Sequence, residues 1–168
     1  MPATFDQPLR IVTADLNDGR VVALLETHYA TARAQTAPGS AHALDLSSLR
    51  APDIRLCAAW SGDDLLCIGA LRTLSPEHGE IKSMHVAQRA RGRSVGSTML
   101  RHLLDVARRR GMRQVSLETG SWAYFEPARA LYRNHGFVDC APFGDYAADP
   151  NSVFMTLNLD ATGDARPD

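Results

Sequence analysis

The sequence predicts one mixed α/β (α+β) domain, built on a mostly antiparallel central sheet flanked by helices. Three observations point there. The chain has 168 residues, enough for one domain with a sizeable core. Its hydrophobic fraction is 45%, that of an ordinary globular protein. Its apolar periodicity runs from a helical stretch near the start, through a run of strands, to a strand–helix–strand–helix–strand succession. Periodicity does not determine the order of those strands in a sheet.

Leu9–Leu16 reads as a first strand around Ile11 and Val12. Asp18–Ala34 follows as a helix, because Val21, Leu24, Leu25, His28 and Tyr29 recur at helical spacing. Thr36–Ser40, with Pro38 and Gly39, is a loop, and His42–Arg50 is expected to be a short helix closed by Pro52. Arg55–Trp60 and Leu65–Leu74 read as two strands joined by the turn Ser61-Gly62-Asp63-Asp64. Glu80–Val86 is a further strand. The strongest helix is Val95–Arg110, whose apolar face holds Val95, Met99, Leu103, Val106 and Ala107 and which ends at Gly111. Gln114–Thr119 alternates as a half-buried strand does. Pro127–Asn134 is a helix with Pro at its start and Gly136 just past its end, and Val153–Leu159 is the last strand. The domain is expected to span 1–160, with 161–168 a frayed polar tail.

Charge narrows the function classes. Lys+Arg is 18 and Asp+Glu is 19, a net charge of −1. The balance hides an asymmetry: Arg89–Arg113 carries eight Arg and one acid, whereas Asp139–Asp168 carries six Asp and one Arg. Lys82 is the only lysine. The Arg stripe lacks the aromatic interleaving of single-strand binders, and the remainder of the chain is acidic, so nucleic acid is not an expected partner. The three cysteines, Cys57, Cys67 and Cys140, are widely spaced without a CxxC, which fits a reducing, cytoplasmic setting and disfavours a zinc site. No stretch reaches the roughly 18 apolar residues of a membrane span, and no leader pattern is visible. No metal and no membrane partner are expected.

Chemistry concentrates in Ile81–Leu100, which passes from strand through a basic, Gly-containing turn into a helix. The start of a helix leaves backbone N–H groups unpaired and carries partial positive charge. Gly92 and Gly96 allow close approach of the main chain; Arg91 and Arg93 add forked donors; Ser94, Ser97 and Thr98 add hydroxyls. Together they describe a diphosphate cradle, with neither P-loop nor GxGxxG spacing.

Val86–Gly96, VAQRARGRSVG, resembles the acetyl-CoA-binding motif of the GNAT superfamily of N-acetyltransferases, V-x-P-x-x-[QR]-x-x-G-x-[GA]. Arg91 and Gly96 fall on that pattern; Ser94 stands at its first Gly and Gln88 at its Pro. Ala128–Phe137 is similar to the family's A-x-x-L-Y-x-x-x-G-F signature, and Phe125 stands where an Asn is frequent. The resemblance covers about Asp53–Leu159. It implies a GNAT-like fold, acetyl-CoA as acetyl donor and direct transfer in a ternary complex to the amine of a small-molecule or amino-acid-like acceptor. Protein acetylation and non-catalytic acyl-CoA binding are the alternatives. A homodimer is expected by analogy alone.

The resemblance also implies site residues. The strand Met84, His85 and Val86 would face the pantetheine arm. Arg91, Gly92, Arg93, Ser94, Val95, Gly96 and Ser97 would wrap the pyrophosphate. The helix from Pro127, with Arg129 and Tyr132, would flank the arm. N-acetyl transfer needs a neutral amine, a stabilised oxyanion and a protonated leaving thiolate, so a base and an acid are expected. Glu80 holds a strand position that some family members fill with the base, and Glu118 on the neighbouring strand competes with it. Tyr132, with an ordinary phenol pKa of about 10, is the expected acid, and a backbone N–H of Met84–Val86 the expected oxyanion donor. His42, Asp45, Ser83, Glu118 and Tyr146 are candidate contacts to the acceptor. Phe143, Asn151 and the aromatic loop Trp122, Tyr124, Phe125 could border a pocket.

Overall fold

Alternating apolar stretches fold into one seven-stranded sheet in a computed structural model that describes residues 7–159. The strands are β1 (Leu9–Thr13), β2 (Ile54–Ser61), β3 (Asp64–Ser75), β4 (His78–Val86), β5 (Gln114–Gly120), β6 (Val138–Asp139) and β7 (Ser152–Asn158). The α-helices among the described residues are α1 (Gly19–Ala34), α2 (Val95–Arg109) and α3 (Glu126–Asn134). The sheet order is β1-β2-β3-β4-β5-β7-β6. All neighbouring pairs are antiparallel except β4 and β5, which run parallel with α2 as their crossover.

The two faces of the sheet bury different helices. On one face Leu56, Ala58, Trp60, Ile68 and Ala70 meet Val21 and Leu25 of α1. On the other, Cys57, Ala59, Leu71, Ile81, Val115 and Leu117 meet Met99, Leu100, Leu103 and Ala107 of α2 and Tyr132 of α3. The alternation along β2 is the period-two pattern of a strand buried on both faces. α1 begins where the Asp18 carboxylate accepts from the Arg20 amide at 2.9 Å.

Two expectations change. The helix expected over His42–Arg50 is only a 3₁₀ turn at Ser48–Arg50. Leu44 and Leu46 both pack against the α1-side core, a two-residue spacing that requires extended chain. β6 was not foreseen; two residues are too few to show a period. The expected frayed tail, 161–168, lies outside the described residues.

Candidate active site

β4 and β5 pair only from His78↔Gln114 to Ile81↔Leu117, although β4 continues to Val86 and β5 to Gly120. Beyond that point the two strands splay. The cause is a bulge in β4. Ala70 pairs with Lys82 and Ile68 with His85, so Ser83 and Met84 together oppose Gly69. Ser83 takes φ +54° to make the bulge. A Cβ on Gly69 would stand 2.8 Å from the Met84 sulfur and 3.0 Å from Met99 and Leu103, so the bulge depends on glycine there. At the far end of β5 the Phe125 ring occupies the place of a Gly120 side chain.

The splay opens a cleft of about 650 Å³. One end is the β4–α2 turn. Gly92 (φ +73°) and Ser94 (φ +63°) both adopt the left-handed conformation, and no side chain caps the first turn of α2. Ser94, which stands at the first Gly of the motif, thus takes the left-handed shape that favours glycine. A Cβ on Gly96 would lie 3.2 Å from Val86 and 3.5 Å from Leu131, so this glycine lets α2 sit close to both β4 and α3. Met84, His85, Val86, Arg91, Gly92, Ser94, Val95, Gly96 and Ser97 all line the cleft. The Arg91 guanidinium donates to the Val86 carbonyl at 3.3 Å, and Ser97 Oγ lies 2.8 Å from His135 Nε2.

Two expected cofactor residues do not reach the cleft wall. Arg93 is absent from the lining. Arg129 turns inward: its guanidinium donates to the carbonyls of Gly120 (2.6 Å) and Trp122 (3.1 Å) and pairs with Glu126. It fastens the end of β5 to α3. Arg89, although within the basic turn, donates to the Leu65 carbonyl in the β2–β3 hairpin.

Tyr132 and Glu118 both line the cleft, from opposite faces of the sheet. Tyr132 lies on the α2/α3 side and packs its ring against Phe137; burial pushes its phenol above the ordinary value, so it stays protonated. Ile81 and Leu117 face the α2 core, so their neighbours Lys82 and Glu118 point to the α1 face. Glu118 lines the cleft. Burial pushes its carboxyl up to about 7; the Lys82 ammonium and Ser152 hydroxyl oppose this, while the charges of Glu80 and Asp149 add to it.

Glu80 differs from the expectation of a base open to the acceptor. It is 1% exposed and does not line the cleft. Its Oε2 accepts from Tyr146 Oη at 2.6 Å and from Lys82 Nζ at 3.3 Å, and Lys82 Nζ donates to Tyr146 Oη at 2.7 Å. The three groups close a hydrogen-bonded triangle with Lys82 as its member in the cleft wall. Tyr146 stands behind that wall, its phenol raised by burial and by the Glu80 charge.

The α1 side supplies the remaining walls. His42 and Ser83 line the cleft, and the His42 ring meets Tyr146 edge-on at 5.1 Å. Asp45 lies outside the lining; its carboxylate accepts from Ser48 N (2.8 Å) and Ser47 Oγ (3.1 Å), so it serves the 3₁₀ turn. Asn151 donates to Ser40 Oγ at 3.4 Å, holding the loop after α1 to the approach of β7. Sequence reading placed His28 only on an apolar helix face. Its Nδ1 lies 3.1 Å from Nδ1 of His85, latching α1 to β4, and burial brings both imidazoles down to about 4. Lys82 as a wall of the site was also missed; its signal was its being the single lysine.

Residues 21–137 match the Acetyltransferase (GNAT) family. The chain belongs to that family of acetyltransferases. A GNAT relative in Bacillus subtilis, named the uncharacterized N-acetyltransferase YsnE, is 46% identical over 151 residues, 90% of this chain and all of that one. A solved structure from Klebsiella pneumoniae, described as an acyl-CoA N-acyltransferase, is 28% identical, with TM-score 0.76 over 90% of this chain and 97% of its own. A Bacillus subtilis acetyltransferase solved with CoA has the same fold, with TM-score 0.68, 19% identity and coverage of 90% and 99%. The observed architecture, a mostly antiparallel sheet flanked by helices, agrees with the GNAT-like expectation. The two left-handed residues, the uncapped α2 terminus and the Gly96 contact form a backbone cradle that fits a diphosphate. Among the described residues no helix is long and apolar enough to cross a membrane.

Proposed function

We propose that this GNAT acetyltransferase transfers the acetyl group of acetyl-CoA directly to the amine of a small-molecule acceptor, with Glu118 as base and Tyr132 as acid. The observation that carries the reading is that those two side chains line the same cleft between the splayed strands, from opposite faces of the sheet. Bound acetyl-CoA supplies an activated thioester; every other function belongs to the chain. The Arg91–Ser97 turn and the start of α2 receive the diphosphate. The free edge of β4 beyond Ile81 offers the backbone donors of Met84–Val86 to the thioester oxygen and the arm.

On the α1 side, Glu118 takes a proton from the incoming ammonium. A carboxyl raised to about 7 is better matched to that task near neutral pH than an ordinary carboxylate. Tyr132, protonated and buried, donates to the departing sulfur. Glu80 acts through Lys82 and Tyr146, as a positioning residue. The acceptor end is closed by α1 and by the loop through Ser40 and His42, an enclosure suited to a small molecule more than to a protein chain. The free thiols Cys57, Cys67 and Cys140 support a reducing, cytoplasmic setting. CoA release from acetyl-CoA across a panel of small amines tests the reading. Turnover of at least one amine, lost in Glu118→Gln, is the expected result; acetylation of peptide amines alone would overturn it.

A further inference from the structure

The position of the chain's one lysine bears on the acceptor. Seventeen of the 18 basic side chains are Arg, and the exception stands in the cleft wall with its side chain 8% exposed. Burying an ammonium is costly, and a buried ion pair seldom repays that as stability. A guanidinium spreads five donors over a plane, whereas an ammonium is a compact point charge with three. Two of the Lys82 donors are taken, by Tyr146 Oη at 2.7 Å and Glu80 Oε2 at 3.3 Å. Those two bonds hold Nζ in place, and the third N–H is available to the cleft.

Beside it, at the next position on the parallel neighbour, stands Glu118. Lys82 and Glu118 follow the last paired residues, Ile81↔Leu117, and share the α1 face. They stand at the mouth of the splay, and both line the cleft, so a fixed cation and a carboxylate face the same space. Lys82 forms its ion pair with Glu80, leaving Glu118 to the cleft. Two hydroxyls in the same walls, Ser83 Oγ and Thr36 Oγ1, are buried without a hydrogen-bond partner. Unpartnered buried donors at a ligand cleft mark positions that a polar ligand satisfies.

We infer that the acceptor carries a carboxylate next to its amine, an α-amino acid or close analogue, with the carboxylate on Lys82 and the amine on Glu118. This rests on the small-amine reading above and narrows it. The wall thus presents one cation and one carboxylate to the same cleft, the pair of opposite charges that such a zwitterion complements. Glu80 and Tyr146 are then positioning residues, which keep the anchor directed at the carboxylate.

The test compares the proteinogenic α-amino acids, each beside its carboxamide, by CoA release with the full chain. For the preferred side chain, wild type is expected to favour the acid over the amide by about 100-fold in kcat/KM, the scale of a lost charge-assisted hydrogen bond at a buried anchor. In Lys82→Met that ratio falls to within about threefold of one. A purely structural lysine would lower both substrates together and leave the ratio standing, which would overturn the inference. A second readout is thermal shift with the amino acid alone, without acetyl-CoA. Stabilisation of wild type that is absent in Lys82→Met supports the anchor, and equal stabilisation of both refutes it. Equal turnover of acids and amides by wild type overturns the inference while the small-amine reading stands. Turnover of neither, with CoA still bound in calorimetry, overturns the inference, and the small-amine reading is then decided by the wider amine panel.

Discussion

Glu118→Gln separates two consequences of one buried carboxyl. Burial moves its pKa from 4.5 to about 7. At 1.36 kcal/mol per unit this corresponds to roughly 3 kcal/mol against the charged form, and water reaching the cleft reduces it to about 1–2 kcal/mol. The sign follows from linkage. The folded state holds its proton up to about 7 while the unfolded chain releases it near 4.5. Stability therefore falls as pH rises through that window, and the cost is complete above pH 7. Glutamine cannot ionise, so Glu118→Gln should match wild type at pH 4 and exceed it by about 1–2 kcal/mol at pH 8, read from urea unfolding. Catalysis should move the other way. The wild-type kcat/KM should climb about tenfold per pH unit below 7, and the variant should lose about 100- to 1000-fold at pH 7.5. A variant within threefold of wild-type activity, or one less stable than wild type at pH 8, would refute the assignment.

Tyr132→Phe should lower kcat by about 10- to 100-fold, because a thiolate leaving group needs less acid assistance than an alkoxide, with CoA affinity by calorimetry unchanged. Ser94→Gly should raise the melting temperature by a few degrees. It relieves about 1–2 kcal/mol of left-handed strain at φ +63° and returns about half of that as unfolded-chain entropy. Arg129→Ala should cost about 1–3 kcal/mol, since it removes the 2.6 Å bond to the buried Gly120 carbonyl, whereas the Trp122 carbonyl still accepts from the Phe125 amide. The same variant should still bind CoA, because Arg129 lies outside the cleft lining. Acidification from pH 6.5 to 4 should destabilise the fold through the His28–His85 pair, whose imidazoles are held neutral down to about 4. A His28→Gln variant should show a shallower decline in unfolding free energy over that range.

What could be read from the residues is what short range dictates. α2 was legible because Val95, Met99, Leu103 and Val106 repeat at its period and Gly111 stops it. The β2–β3 hairpin was legible because Gly62 can take φ +57° between two apolar runs. The cradle was legible because its donors are consecutive residues; Ser94 departs from the motif by letter yet takes the left-handed shape that favours glycine. Glu80 and Glu118 were both visible as strand carboxylates, but nothing local ranks them. That ranking depends on a bulge at Ser83 opposite Gly69, and on Tyr146, 66 residues from Glu80, closing over it. The contacts of His28 with His85 and of Lys82 with Tyr146 bridge 57 and 64 residues. Arg129 lies within the second motif at an unspecified position, yet only the bend after β5 determined that its donors serve carbonyls rather than a ligand. The sequence by itself therefore determined most of the elements, the family and the basic turn into α2, all of which are encoded within a few turns of chain. The tertiary structure decided which carboxylate faces the cleft, which cation lines it and which residues stand behind, because burial and charge pairing are set by strands brought together from distant parts of the chain.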